Sequence, residues 1–413
     1  MNEVIPEGWG QKKLGEVATL TMGQSPSSHT YNFAGKGLPF FQGKADFSAR
    51  EAVIRSWCSE PTKTAPAGSI LFSVRAPVGE TNIAPKECCV GRGLAAIIAK
   101  KTDQEFLFQY LRYSKPQFEA VSQGSTFEAI NGNELKEFML LHPPLPEQQK
   151  IATILSSVDD VIEKTRAQID KLKDLKTGMM QELLTQGIGH TEFKDSPVGR
   201  IPASWRITDL RSVVIKDGLQ TGPFGSQLHA HEYIEWGVPV VMPKDMSNNR
   251  MDTSSIARIS SQKANELKKH SVRSGDILFS RRGDIGRFVL INKKDEGAIC
   301  GTGCLRVRLS EIISPFYLAC YLTLSNVVEW LNANAVGQTM LNLNTSILGN
   351  LPVVLPSKSE QVSIGQTIIA LEEKIQLKSA KLLALEKLKK ALMQDLLTGK
   401  VRVKPDPTEV AAA

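Results

Sequence analysis

The chain has 413 residues, 41% of them apolar and 23% charged, with a formal charge of +7. That length holds two or three domains with cores of their own. The mild positive balance is no more than a hint of a polyanionic partner, and no run approaches the roughly 20 apolar residues that a membrane span needs. The N-terminal MNEVIPEGWGQKK lacks the apolar stretch of a signal peptide. Cys58, Cys88, Cys89, Cys300, Cys304 and Cys320 are unevenly spaced and form no secreted framework, so reduced thiols in a cytoplasm are expected.

In chain order, residues 1–146 read as a mixed α/β globular region. It has a polar glycine loop, TMGQSPSS (21–28), a strand in SILFSV (69–74) and a helix in QEFLFQYLRYS (104–114). Residues 147–187 read as a long helix, with apolar side chains recurring from Ile151 to Leu184 at mixed three- and four-residue steps. Pro143, Pro144 and Pro146 precede it and Gly187 follows it, the usual start and stop signals. Residues 188–359 form a second globular region, opened by the polar loop QGIGHTEFKDSPVGR (186–200). It has strands in DILFSR (276–281) and CLRVRL (304–309) and one helical stretch over 314–331. Residues 360–400 repeat the long helix, with Gly399 past its end, and residues 401–413 read as a disordered tail.

The chain is duplicated. A shift of 213 places Glu147-Gln148 on Glu360-Gln361, Ile151 on Ile364, Ile162 on Ile375, Leu172 on Leu385 and Leu183-Leu184-Thr185 on Leu396-Leu397-Thr398. The same shift lays GSTFEAINGNELKEFMLLHPP (124–144) over GQTMLNLNTSILGNLPVVLPS (337–357). A shift of 207 matches GSILFSVRAPVG to GDILFSRRGDIG, and one of 196 matches VIPEGWGQKKL to RIPASWRITDL. A lone helix of this length with one apolar stripe needs a partner, and the other copy is the natural one, running antiparallel because the second helix returns towards the first globular region. Thr165 and Lys378 interrupt the stripe at equivalent positions; they either fix register or face solvent. Residues 1–146 carry net +1 and residues 186–359 net +5, while the two helices together are neutral. The helices thus hold and separate, and the globular regions meet any polyanion.

Catalytic patterns are poor. No G-x-x-x-x-G-K-[ST] phosphate loop, Asn-Pro-Pro-aromatic tetrapeptide or Gly-x-Ser-x-Gly elbow occurs. CGTGC (300–304) is followed by a strand pattern, so it reads as a turn and not a nucleotide loop, and its cysteines lack a second ligand pair for zinc. His229 and His231 in LHAHEY are either a metal pair or a polar loop. Signals for DNA contact are better. SRRGDIGR gathers Arg281, Arg282 and Arg287 around two glycines, suited to phosphates or to guanine edges, with a solvated hairpin and an Asp284 salt bridge as the competing reading. Its copy keeps Arg75. Gln24, Gln220 and Gln227 are candidates for adenine edges. Ser25, Arg92, Thr221 and Lys244 complete the loop set, with Thr126, Thr339 and Asn342 from the duplicated 124–144 and 337–357 segments. Asn131 and Asn344 correspond and read as DNA contacts or equally as a turn or a helix N-cap.

The stretches LHPPLPEQQKIATILSSVDDVI, GSTFEAINGNELKEFMLLHPPLPEQ, GQTMLNLNTSILGNLPVVLPSKSEQ, GPFGSQL and IPASW resemble the specificity subunits of type I restriction-modification enzymes over residues 4–403. The second copy departs from the family's helix start, with PSKSEQ in place of PLPEQQ. The resemblance implies an α/β fold of the α+β kind, with two pseudo-symmetric target-recognition domains joined by two long antiparallel helices as a coiled-coil-like spacer. It implies a non-catalytic subunit that reads a bipartite site in double-stranded DNA and docks two methyltransferase subunits, with motor-nuclease restriction subunits joining for cleavage. Ile151, Leu155, Val158, Ile162, Leu172, Ile364, Ile368, Leu371, Ile375 and Leu385 would be the docking positions. S-adenosylmethionine, ATP and magnesium would belong to the partners and no cofactor or metal to this chain. A coiled-coil adaptor that touches only protein and a fused methyltransferase are the alternatives.

Overall fold

The computed structural model describes residues 5–123, 129–247, 249–337 and 342–404. The chain divides into two compact units, one made of residues 1–169 with 377–413 and the other of residues 170–376. The long helices, Leu145–Thr185 and Lys358–Leu397, each contribute to both units.

The two units share a topology. The first has an antiparallel sheet in the order Ala18–Met22, Leu94–Ala99, Ile70–Ser73, Thr81–Ile83. The second repeats it as Val214–Thr221, Cys304–Leu309, Ile277–Ser280, Phe288–Leu290. A mixed sheet of short strands accompanies each, five in the first unit and four in the second. In it Leu38–Phe41 pairs in parallel with Cys88–Val90, and Val238–Val241 with Ile299–Cys300. The duplicated ILFS strands explain the layering. Alternate side chains point to opposite faces, so Ile70 and Phe72 enter one core while Leu71 enters another. Ile277 and Phe279 separate from Leu278 in the same way. A strand buried on both faces reads as a continuous apolar run, which is how these two read.

The helical stretch over 314–331 is broken. Pro315–Tyr321 and Ser325–Asn334 are separate helices joined through Leu322–Leu324. Leu318, Leu322, Leu324, Val327 and Leu331 all enter one core, so the apolar pattern continues through a joint that it cannot reveal. The first long helix begins before Pro146, whose missing N–H costs nothing in the first turn. Gly187 and Gly399 follow the helix ends with φ of 67° and 70°. The expected tail is tied down at its start, because the Arg402 Nε and Nη2 donate to Glu147; residues 405–413 lie outside the described residues.

The repeated Glu-Gln pair has a structural reason. Trp9 Nε1 donates to Glu147 at 2.9 Å, and Trp205 Nε1 donates to Glu360 at 2.9 Å. The neighbouring glutamines are fully buried. Gln148 accepts from Thr102 and Asp103 and donates to the Pro143 carbonyl, whereas Gln361 accepts from Ser314 N and donates to the Pro356 carbonyl. Asp103 and Ser314 cap the helices Gln104–Tyr113 and Pro315–Tyr321. One dipeptide therefore fastens the start of each long helix both to an upstream tryptophan and to a helix cap of its unit.

Within each unit the long helices pack side by side. In the first, Lys389 reaches Asp159 at 2.5 Å, Arg166 reaches Glu386 at 2.5 Å and Lys378 donates to Gln168 at 2.8 Å, an antiparallel order. In the second, Lys176 meets Glu372 at 2.5 Å. Thr165 is buried and its hydroxyl donates to the Val161 carbonyl, so it does not face solvent. The stripe needs a correction as a docking surface. Ile151, Leu155, Ile364 and Ile368 have no exposed side chain and belong to the cores of their units. Ile162 is also buried, while Val158, Leu172, Leu371, Ile375 and Leu385 are half-buried.

Candidate nucleic-acid interface

The strand ends bring four loops together at one edge of each main sheet. In the first unit these are the loop after Met22, the turn after Phe41, the turn after Ser73 and the turn Gly91–Gly93. Gln24 N donates to the Val90 carbonyl, Val74 N to the Gly93 carbonyl and Gly91 N to the Phe41 carbonyl. The second unit repeats the cluster: Gly222 N donates to the Cys304 carbonyl, Arg281 N to the Gly303 carbonyl and Gly301 N to the Val241 carbonyl. Only glycine fits where the first and last of these loops cross. A Cβ on Gly23 would lie 2.2 Å from the Gly91 carbonyl oxygen, and one on Gly222 would lie 2.0 Å from that of Gly301.

The turn after the ILFS strand is the most constant part. Ser73 Oγ donates to the Arg75 carbonyl at 2.8 Å, and Ser280 Oγ to the Arg282 carbonyl at 2.9 Å. Arg75 bridges to Ala129, and Arg282 to Asn342, as antiparallel backbone pairs. Just beyond these bridges Asn131 caps helix Gly132–Glu137 and Asn344 caps helix Thr345–Gly349. Both asparagines therefore settle as caps, because each side chain is engaged by the backbone N–H groups of its helix.

The candidate side chains divide by what they already hold. Arg75, Arg92, Gln24, Lys244, Gln227 and Arg282 are exposed at the loop cluster. Arg75 and Arg92 line one groove of about 240 Å³ with Gln42 and Lys44. Arg92 N donates to the half-buried Ser25 hydroxyl. Other candidates serve the fold. Arg287 is drawn into a salt bridge with Asp284 at 2.7 Å and reaches the Pro243 carbonyl. Arg281 Nε donates to Asn342 Oδ1 at 3.2 Å, so these two candidates meet each other. Gln220 accepts from Arg306 at 2.9 Å. Arg306 is buried, and burial with the nearby Arg308 lowers its pKa from the usual guanidinium value; Gln220 is thus an internal partner and not a free reader. Thr221 is half-buried, with its carbonyl against His270 Nδ1. Thr126 and Thr339 lie outside the described residues.

Lys44 was not among the candidates, although the repeat carries its signal. It occupies the helical turn Lys44–Asp46, and Lys244 occupies the equivalent turn Pro243–Asp245. Lys44 and Lys115 both contact Glu80; burial alone would raise that carboxyl, but the two lysines hold it below the usual range. CGTGC forms the turn between strands Ile299–Cys300 and Cys304–Leu309, and burial pushes the Cys300 thiol up to about 12. His229 and His231 stack with ring centroids 5.5 Å apart. Among the described residues no three of His, Cys, Asp and Glu gather as a metal ligand set, and no helix is long and apolar enough to cross a membrane.

Each unit also carries a groove between its helix pair and its globular part, of about 520 Å³ in the first and 410 Å³ in the second. The shift of 213 relates their linings: Asp159 to Glu372, Glu163 to Gln376, Lys389 to Lys176 and Met393 to Met180. Burial alone would raise Asp159, but Lys389 and Arg112 hold it low, and burial together with Arg112 draws Lys389 down.

A family model described as the type I restriction modification DNA specificity domain matches residues 6–174 and 228–387, and the chain belongs to that family. The type I restriction enzyme MjaIX specificity subunit of Methanocaldococcus jannaschii is 25% identical over 97% of this chain and 95% of its own length. The MjaVIII specificity subunit of the same organism is 28% identical over 74% of this chain and 72% of its length. A further relative from that organism is 42% identical but aligns over only 44% of this chain and 44% of itself, less than half its length. Among solved structures, the S subunit of a type I restriction-modification system from M. genitalium superposes with a TM-score of 0.58 at 16% identity, covering 96% of this chain and 97% of that one. A chain from a study of complex assembly in the type I R-M system gives 0.54 at 18% identity, covering 96% and 100%. These two likenesses concern the fold.

Proposed function

We propose that this chain reads a bipartite site in duplex DNA as a non-catalytic specificity subunit, one half-site per globular unit. The observation that carries this is the recurrence of one loop cluster, with exposed cations, at the same sheet edge of two units whose sequences differ. Phosphate contacts place such a protein on the duplex and base-edge contacts specify it. Arg75 and Arg92 supply the cations in the first unit, and Arg282 and Lys244 in the second.

The paired grooves support docking of two copies of one partner, which we take to be methyltransferase subunits that bind S-adenosylmethionine and modify adenine. Restriction subunits using ATP and magnesium would join the same assembly. The test is footprinting of the complex assembled with its methyltransferase partner. Two short protected stretches separated by an unread gap are expected; one continuous protected site would contradict the reading.

A further inference from the structure

Phe33 is 85% exposed and Trp236 79% exposed, more than the other large apolar side chains among the described residues. They occupy the same place in the two units. Phe33 follows strand Tyr31–Asn32 and precedes Leu38–Phe41; Trp236 follows Tyr233–Ile234 and precedes Val238–Val241. An exposed aromatic ring is a common mark of an interface. Here it recurs although the turns differ in length and sequence.

Both tips are held in shape. Asn32 Oδ1 accepts from Ala34 N and Lys36 N, and its amide donates to the Lys36 carbonyl at 2.8 Å. In the second unit Arg258 donates to the Gly237 carbonyl at 3.1 Å. A Cβ on Gly37 would lie 2.0 Å from the Cys58 carbonyl oxygen, and one on Gly237 would lie 2.2 Å from that of Ile259. Rings presented on rigid turns lose little freedom on binding.

We propose that Phe33 and Trp236 contact the sugars of the same duplex or wedge at one of its base steps, an inference that rests on the DNA-reading function above. Strand Leu38–Phe41 leads from the tip to the turn that carries Lys44, and four residues at about 3.3 Å each cover about 13 Å. That is close to the width of a major groove, so the ring and the cations of one unit meet one stretch of duplex. Arg75 and Arg282 correspond, but Arg92 has Thr302 in its place in the second unit, so the two sets of polar side chains are not the same. A ring against the sugars or at a base step reads no base edge, which fits an exposed aromatic at this place in both units. A protein partner is the competing occupant.

The experiment uses the complex assembled with the methyltransferase subunit. Trp236 emission is taken as the difference between the unsubstituted complex and W236F, and duplex binding is followed separately by anisotropy. Addition of a target duplex should at least halve the Trp236 emission, and addition of the methyltransferase subunit to the free chain should leave it unchanged. W236A and F33A should each weaken target binding by about tenfold, with W236F within threefold of the unsubstituted complex. Normal duplex binding with unchanged emission, or an emission change produced by the methyltransferase subunit alone, overturns the inference while leaving DNA reading intact. Absence of duplex binding by the unsubstituted complex overturns both.

Discussion

Glu147 is 3% exposed and holds three groups at once: the Trp9 indole and two nitrogens of Arg402. Burial alone would raise its carboxyl, but Arg402 and Trp9 hold it below the ordinary range. A carboxylate depressed on folding contributes stability that is complete above its unfolded value, near ~4.3, and is lost as pH falls through the folded value. Glu147→Ala should therefore destabilise the first unit by about 1–3 kcal/mol at neutral pH, since the Trp9 N–H loses its acceptor. The difference from the unsubstituted chain should shrink below about pH 4, as chemical denaturation across pH would measure. The loop arginines separate in the same residue-by-residue way. Arg282→Ala should weaken duplex binding and lower the salt slope by about one, as expected for a lost phosphate contact. Arg287→Ala should do neither, because Asp284 already engages that guanidinium. The shift of 207 lays Arg75 on Arg282 and so marks that residue in the sequence, but only the fold shows that Arg281 and Arg287 are engaged internally.

The long helices were legible because a surface stripe, flanking prolines and a terminal glycine all mark the same boundaries. The stripe did not show which of its residues face another helix and which face a globular core. Ile151 and Ile364 match the spacing of a coiled-coil seam, yet each inserts into its own unit, since periodicity reports an apolar face and not what covers it. The Glu-Gln pair was visible as a repeat, but its role depends on Trp9 and Trp205, which are remote in sequence. The loop 186–190 is a poor place to lengthen the spacer: Ile188 N and His190 Nε2 both contact Glu360, and Gly187 is packed against Trp205. A matched insertion of seven residues in both helices, where the units divide at Ile169 and Gln376, keeps the helical phase nearly intact and adds about 10 Å of rise. If the helices set the spacing of the half-sites, the unread gap should lengthen by about three base pairs. Methylation mapping would detect this, and an unchanged gap would rule out a measuring role.

At the scale of the whole chain, duplication was the strongest signal available. It is carried by a few motifs and emerges as two units with the same strand order in the antiparallel sheet, and in the mixed sheet apart from the added strand Thr64–Ala65 of the first unit. What stayed hidden was convergence in space: Gln24, Lys44, Arg75 and Arg92 belong to four loops that only the sheet brings together. If each unit reads independently, exchanging residues 188–359 for the corresponding region of another specificity subunit should change one half-site and leave the other intact. The core of the first unit lies wholly outside the exchange, whereas Leu184, Ile364 and Ile368 of the retained helices pack into the second, so the incoming region must present apolar residues that fit them.

The most direct measurement is base-resolution mapping of modified adenines in cells that carry this chain with its methyltransferase partner. Two short fixed sequences separated by a gap of constant length and variable composition are expected. A single uninterrupted motif, or modification without sequence preference, would contradict the account.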